Sequence, residues 1–192
     1  MPDISKALAI EGWMAEGELL WLAEQAQSRR VIVEIGSFLG RSTRALADNT
    51  QGLVWAVDDF FGPRDEHVEI WPSHRQKLFD LFLENMGGLE GRLNVVRKDH
   101  ASLDSSDIPY RPDMVFIDGD HQQESVERDI KFWIPRIAPG GLLCGHDYDD
   151  GFPGVQAAVR KFFPEVSSAP NTSIWYTEVS AHPFKASAQG RK

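Results

Sequence analysis

Two short runs hold most of the residues able to do chemistry in this chain. Phe116-Ile-Asp118-Gly-Asp120-His121 and Leu142-Leu-Cys-Gly-His146-Asp147 each pass from apolar residues straight into carboxylates and an imidazole. Two carboxylates with neutral donors and water suit a hard divalent ion such as Mg2+, and a histidine in the set shifts the preference towards Mn2+. If the two runs are neighbouring strands, Asp118, His146 and Asp147 converge, and they are the expected metal ligands. Such an ion would lower the pKa of a substrate hydroxyl. His121, three residues beyond Asp118, is the expected general base, a role worth roughly 100- to 10,000-fold in rate. Plainer roles stay open: His121 at a helix start, His146 as a residue that orients its loop. The cluster Asp118, Asp120, His121, His146 and Asp147 also fits a metal-dependent hydrolase.

A second constellation lies upstream. Val31-Ile-Val-Glu34-Ile reads as a buried strand, and Gly36 and Gly40 bracket a tight turn before a helical pattern from Arg41. A strand that passes through a glycine turn into a helix start can cradle a nucleotide. The dinucleotide fingerprint Gly-x-Gly-x-x-Gly is not met, because Ser37 and Phe38 follow Gly36. Glu34 at the strand's end would repel a pyrophosphate and suit a cationic ligand. Asp58, 58 − 36 = 22 residues after Gly36, stands near the spacing at which an acid binds ribose hydroxyls. By itself it is ambiguous between two nucleotide cofactors, and a loop or helix-capping acid is the plain alternative. Asp99 follows Val95-Val96-Arg-Lys, and a solvated loop acid is its plain alternative.

These residues need a scaffold. Strand-like runs at Val31–Ile35, Leu53–Val57, Leu93–Val96, Met114–Ile117 and Leu142–Cys144 alternate with helical patterns at Arg41–Asn49, Ser73–Met86, Gln122–Arg136 and Val155–Phe162. One or two helices precede the first strand, and late strands are expected around Val166 and over Ser173–Val179. The alternation predicts an α/β Rossmann-like, doubly wound, mostly parallel sheet with helices on both faces. Each expected strand ends in an acid, and ligands in such sheets bind beyond those ends. One domain over residues 1–180 is expected, with a disordered tail over 181–192.

Composition narrows the classes. The net charge of −9 argues against nucleic acid as a partner, and no apolar run is long enough to suggest a membrane span. Cys144 is the single cysteine, which rules out an internal disulfide and a cysteine-cluster metal site. The N-terminus lacks a signal-peptide pattern, so a cytoplasmic enzyme acting on a small molecule is expected.

The chain resembles the class I S-adenosylmethionine-dependent methyltransferases, and within them the metal-dependent O-methyltransferases of the catechol and macrocin types. The resemblance spans about residues 30 to 162 and rests on Val33-Glu-Ile-Gly-Ser-Phe-Leu-Gly-Arg-Ser-Thr43, Phe116-Ile-Asp-Gly-Asp-His121 and Pro139-Gly-Gly-Leu-Leu-Cys-Gly-His-Asp147. It implies that S-adenosylmethionine contacts Glu34, Gly36, Ser37, Gly40, Ser42, Asp58, Asp99 and Asp118. It further implies that Asp118 and the pair His146-Asp147 bind Mg2+ or Mn2+, and that Asp118 and His121 act in catalysis. The catechol enzyme's catalytic lysine falls where His121 stands, whereas His146 occupies a position where those enzymes have Asp or Glu. The aromatic stretch Phe60-Phe61 to Trp71, with Tyr148 and Phe152, is a candidate acceptor wall. A hydroxyl acceptor is expected, and a homo-oligomer through the N-terminal helix is compatible with the sequence. The rivals are the hydrolase, an NAD-dependent oxidoreductase and a silent binding protein of the same fold.

Overall fold

The computed structural model describes residues 1–62 and 75–180, with the side chains of 75 and 76 left out. Two helices, α1 (Ser5–Ala9) and α2 (Glu16–Ala26), precede β1 (Val31–Ile35). There follow α3 (Arg41–Asn49), β2 (Leu53–Val57), α4 (Arg75–Asn85), β3 (Leu93–Val96), β4 (Met114–Ile117), α5 (Gln123–Trp133), β5 (Leu142–Gly145) and α6 (Pro153–Phe162). Two late strands, β6 (Ser167–Ser168) and β7 (Trp175–Glu178), complete the described chain. The expected elements appear with shifts of a few residues at their ends. The helix expected over Gln122–Arg136 stops at Trp133, because Pro135 supplies no N–H and cannot continue it. Trp71, the expected helix start at Ser73 and the expected tail 181–192 lie outside the described residues.

The sheet order is β3-β2-β1-β4-β5-β7-β6. β1 to β5 are parallel, and β7 runs antiparallel to both β5 and β6. The central strands read as unbroken apolar runs because both faces are covered. On one face Leu19, Leu22, Leu46 and Phe82 of α2, α3 and α4 pack against Ile32, Val54 and Met114. On the other, Val126 and Ile130 of α5 and Val155 and Val159 of α6 pack against Val33, Val115 and Leu143. Cys144 is buried in β5.

The chain leaves β1 to one side for β2 and β3, then crosses back to place β4 on the other side of β1. That reversal opens a crevice beyond the carboxyl ends of β1 and β4, the place where this topology puts ligands.

Candidate active site

β1 and β4 approach one another closely at their ends. Gly36 has φ +86°, and a Cβ there would lie 2.0 Å from the carbonyl oxygen of Asp118, so only glycine fits. Gly40 (φ +90°) then caps α3. The crevice is a cavity of about 910 Å³. Of the residues expected in the site, Gly36, Ser37, Ser42, Asp58, Asp99, Asp118, His121, His146 and Asp147 line it. Glu34 and Gly40 do not: they stand behind its wall.

Glu34 is wholly buried. Its Oε2 accepts hydrogen bonds from the hydroxyls of Ser37, at 2.7 Å, and Thr43. Burial pushes its pKa up to about 7 against the pull of Ser42, Thr43 and Ser37, and the charge of Asp118 adds to the rise. Its carboxyl therefore braces the turn from beneath. Asp58 braces it from the side, with Oδ2 accepting from the N–H groups of Ser37 (2.9 Å) and Phe38 (2.8 Å) and Oδ1 from Phe60 N–H (2.5 Å). Burial raises the Asp58 pKa, opposed by those same N–H groups. The donors that a phosphate cradle would offer are thus taken by a carboxylate, which accounts physically for a site unsuited to pyrophosphate.

Along the same crevice β4 and β5 pair in register, Ile117 opposite Gly145, and this brings their acidic ends together. Single oxygen or nitrogen atoms of Asp118, His121 and Asp147 lie within 4.8 Å of one another. His121 Nε2 is 2.9 Å from Asp147 Oδ2. Asp147 has φ +60°, a strained setting for a side-chain-bearing residue that aspartate tolerates. His146 is placed differently. Its Nδ1 lies 3.1 Å from Asp147 Oδ1 and 3.5 Å from Asp118 Oδ1, while Nε2 lies 3.0 Å from Glu18 Oε1. Burial disfavours its charge, but Asp118, Asp147 and Glu18 outweigh that and drive its pKa far above the ordinary value. Both of its ring nitrogens thus face carboxylates. The convergent donor set is Asp118, His121 and Asp147, whereas the sequence pointed to His146 in place of His121.

Several lining residues carried no earlier signal. Arg41, at the start of α3, donates from Nε to Met14 O (3.0 Å) and from Nη1 to Leu8 O (3.2 Å), tying residues 8–14 over the cavity. Trp13 packs on Phe38 with ring centroids 5.0 Å apart, and both line the mouth. Glu18 closes the floor, accepting from Ala15 N–H (2.8 Å) and from Ser173 N–H (3.1 Å) and hydroxyl (3.0 Å). His100 is held by Asp129 and also faces the cavity. His100 directly follows a strand-end acid, but no spacing in the sequence assigns it a role. Of the expected acceptor wall, Phe152 lines the cavity and packs 4.5 Å from the His121 ring, while Phe60 is buried on α4 against Phe79 and Phe82.

Comparisons with known proteins agree with this geometry. Residues 33–148 match the family described as methyltransferase domain. An uncharacterized protein of Acanthamoeba polyphaga mimivirus is 28% identical over 78 residues, which span 40% of this chain and 35% of that one. Among solved structures, a SAM-dependent O-methyltransferase from Thermotoga maritima superposes with a TM-score of 0.66 at 13% identity, covering 93% of this chain and 71% of the other. An O-methyltransferase from Bacillus cereus, in complex with SAH, gives 0.61 at 18% identity over 90% and 86%. TomG of Streptomyces achromogenes, an O-methyltransferase involved in tomaymycin synthesis and solved with SAM, gives 0.61 at 17% identity over 92% and 87%. At such identities the structural likeness speaks to the fold. The family match covers more than half of the chain and spans the glycine turn, Asp58, Asp99, Asp118, His121 and Asp147, so this chain belongs to the methyltransferase-domain family and has the class I S-adenosylmethionine-dependent methyltransferase fold.

Proposed function

We propose that this chain transfers the methyl group of S-adenosylmethionine to a hydroxyl oxygen of a small-molecule acceptor, with a divalent cation held by Asp118, His121 and Asp147. The observation that carries this reading is one continuous cavity lined both by the glycine turn, Asp58 and Asp99 and by the Asp118–His121–Asp147 cluster. Its acidic lining suits a cofactor that bears an ammonium and a sulfonium and no phosphate. The cofactor bound in the Bacillus and Streptomyces neighbours supports the assignment.

Two carboxylates and one imidazole are a donor set that fits Mg2+ or Mn2+. When bound, such an ion stabilises the deprotonated form of a hydroxyl. The chain's own residues prepare the place. Asp118 and Asp147 arrive from adjacent parallel strands, and the His146 imidazolium holds both carboxylates from behind. Phe152 packs against His121 and limits the swing of its ring. Gly36, Ser37 and Ser42 also line the cavity, with Glu34 and Asp58 fixing the turn that carries them. The 2.9 Å contact between His121 and Asp147 favours one second reading, a metal-free general base. There the Asp147 carboxylate orients the imidazole and stabilises its charged form as it accepts the hydroxyl proton.

The test is transfer of a labelled methyl group from S-adenosylmethionine to a panel of phenols and sugars, with EDTA and then with Mg2+ or Mn2+. Transfer that appears with metal, and falls about 100-fold or more in Asp118→Asn, is the expected result. Transfer unaffected by EDTA but lost in His121→Ala selects the general-base reading. Full activity in both variants removes the site assignment, and failure of the protein to bind S-adenosylhomocysteine overturns the function.

A further inference from the structure

The segment from Ile10 to Met14 joins two anchored helices. Before it, Ile4 and Ala7 of the α1 region are buried, and the chain is tied to the end of α3: Asp3 N–H donates to Asn49 Oδ1 (2.8 Å) and Asn49 Nδ2 to Asp3 O (2.7 Å). After it, α2 holds Leu19 and Leu22 in the core. Gly12, Trp13 and Met14 line the cavity, as does Arg41. Among the described residues, the N–H groups of Glu11 to Met14 make no backbone hydrogen bond. The carbonyls are held instead, and by one side chain. Arg41 donates from Nε to Met14 O and from Nη1 to both Leu8 O and Ile10 O. Gly12 packs on the stem of that arginine, where a Cβ would stand 2.9 Å from Arg41 Cδ. Trp13 is 64% exposed and rests one face of its ring on Phe38.

We infer that residues 10–14 form a strap that leaves the cavity wall to pass the cofactor in and out, and that Arg41 is the latch that sets how often it opens. The identity of the ligand rests on the cofactor assignment above. The latch itself does not, since it is made of contacts within the chain.

The placing of the bonds gives the latch its effect. Ile10 and Met14 are buried, at 6% and 5% exposure, and are the fixed ends, while Glu11, Gly12 and Trp13 are the part that moves. A swing of that part requires the peptide groups at both ends to turn. Arg41 holds the carbonyl of each end, so parting one guanidinium from its acceptors frees both hinges together. Only the Trp13–Phe38 stack and the packing of Gly12 on the arginine stem then keep the strap in place. Such an opening is local and leaves the sheet intact. Arg41 is also the first residue of α3, directly after Gly40 and before Ser42, so the strap is fastened to the same turn that shapes the cavity. Arg41 is thus a positioning residue: it acts through the strap.

The experiment pairs limited chymotrypsin digestion, with cleavage at the Trp13–Met14 bond followed by mass spectrometry, with stopped-flow binding of S-adenosylhomocysteine. The proteins are wild type, Arg41→Met, Arg41→Lys and Gly12→Ala. Cleavage needs the strap open, so its rate follows the open population. Arg41→Met keeps the stem and loses the donors, and should be cut about tenfold faster or more. Arg41→Lys, with one ammonium in place of the fork, should fall between. Gly12→Ala keeps the guanidinium but forces the strap off its stem, and should also be cut faster; it decides the matter if Arg41→Met does not fold. S-adenosylhomocysteine should slow cleavage of the wild type. Arg41→Met should both bind and release S-adenosylhomocysteine faster than wild type, and faster association is a gain that mere destabilisation does not produce. Wild-type cleavage rates in Arg41→Met and Gly12→Ala, or association no faster than wild type, would make residues 10–14 a fixed wall and overturn the inference alone. A wild-type protein that binds no S-adenosylhomocysteine overturns the cofactor assignment, and the cleavage rates then decide the latch by themselves.

Discussion

Glu18 Oε1 stands 3.0 Å from His146 Nε2 and so joins helix α2 to the end of strand β5 beneath the candidate site. Both side chains are nearly inaccessible, at 9% and 10% exposure. Removing one partner of such a pair leaves the other charge short of compensation. Glu18→Gln should therefore destabilise the protein by about 2 kcal/mol. The pH dependence has a definite sign. Burial raises the Glu18 pKa, but the His146 contact and the N–H groups of Ala15 and Ser173 pull it down to about 2. Its stabilisation is complete above the unfolded value of 4.5 and fades as the pH falls towards about 2. Thermal unfolding across this range should show a shallower acid limb in Glu18→Gln. An unchanged limb would mean that the contact contributes nothing.

Asp58 accepts from three backbone N–H groups, so its replacement should act on the fold before it acts on any ligand. Asp58→Ala should cost about 2 kcal/mol or more in urea unfolding, from buried donors left unpaired. Amide exchange at Ser37 and Phe38 should accelerate in step. If stability and exchange stay at wild-type values while S-adenosylhomocysteine affinity drops, the bracing role is wrong and Asp58 acts on the cofactor alone.

Glu34 should make the protein less stable as the pH rises through its own titration. Its folded pKa is about 7 against an unfolded 4.5, so between those values the folded state binds a proton that the unfolded state releases. Stability from this residue is highest below about pH 4.5 and declines towards about pH 7. Glu34→Gln should flatten that stretch of the curve in chemical denaturation. A variant whose curve runs parallel to the wild type would show that Glu34 is charged throughout.

Two glycines with the same backbone sign separate strain from space. Gly36 and Gly88 have φ +86° and +84°, but an added Cβ meets the Asp118 backbone at 2.0 Å in the first case and open space in the second. Gly88→Ala should lose only the conformational term, roughly 1 kcal/mol. Gly36→Ala should lose at least about 3 kcal/mol or fail to fold, because β1 and β4 would have to part. Equal melting temperatures for the two variants would contradict this placement.

Much of the site could be read in the sequence, since it is built from strand ends. A strand's carboxyl end is marked locally, by an apolar run followed within three residues by an acid, as at Asp58, Asp99, Asp118 and Asp147. What each acid does was not local. Asp58 lines the cavity and also braces the glycine turn, whose N–H groups reach its carboxylate. Glu34 faces the hydroxyls below the turn rather than the cavity. His121, rather than His146, stands with Asp118 and Asp147 in the described cluster, and Nε2 of His146 faces Glu18, far upstream in the chain.

Periodicity and strand-end punctuation, both short-range properties of the chain, were enough for the element order, the parallel sheet, the glycine turn and the acids beyond it. The order β3-β2-β1-β4-β5-β7-β6, the pinning of residues 8–14 by Arg41, the Glu18–His146 pair and the His100–Asp129 pair were decided only in three dimensions. Each of these joins residues distant in the chain, and no local pattern encodes which buried charge will find which partner. That choice is made when packing removes water and every enclosed polar group must be satisfied by whatever the fold has brought beside it.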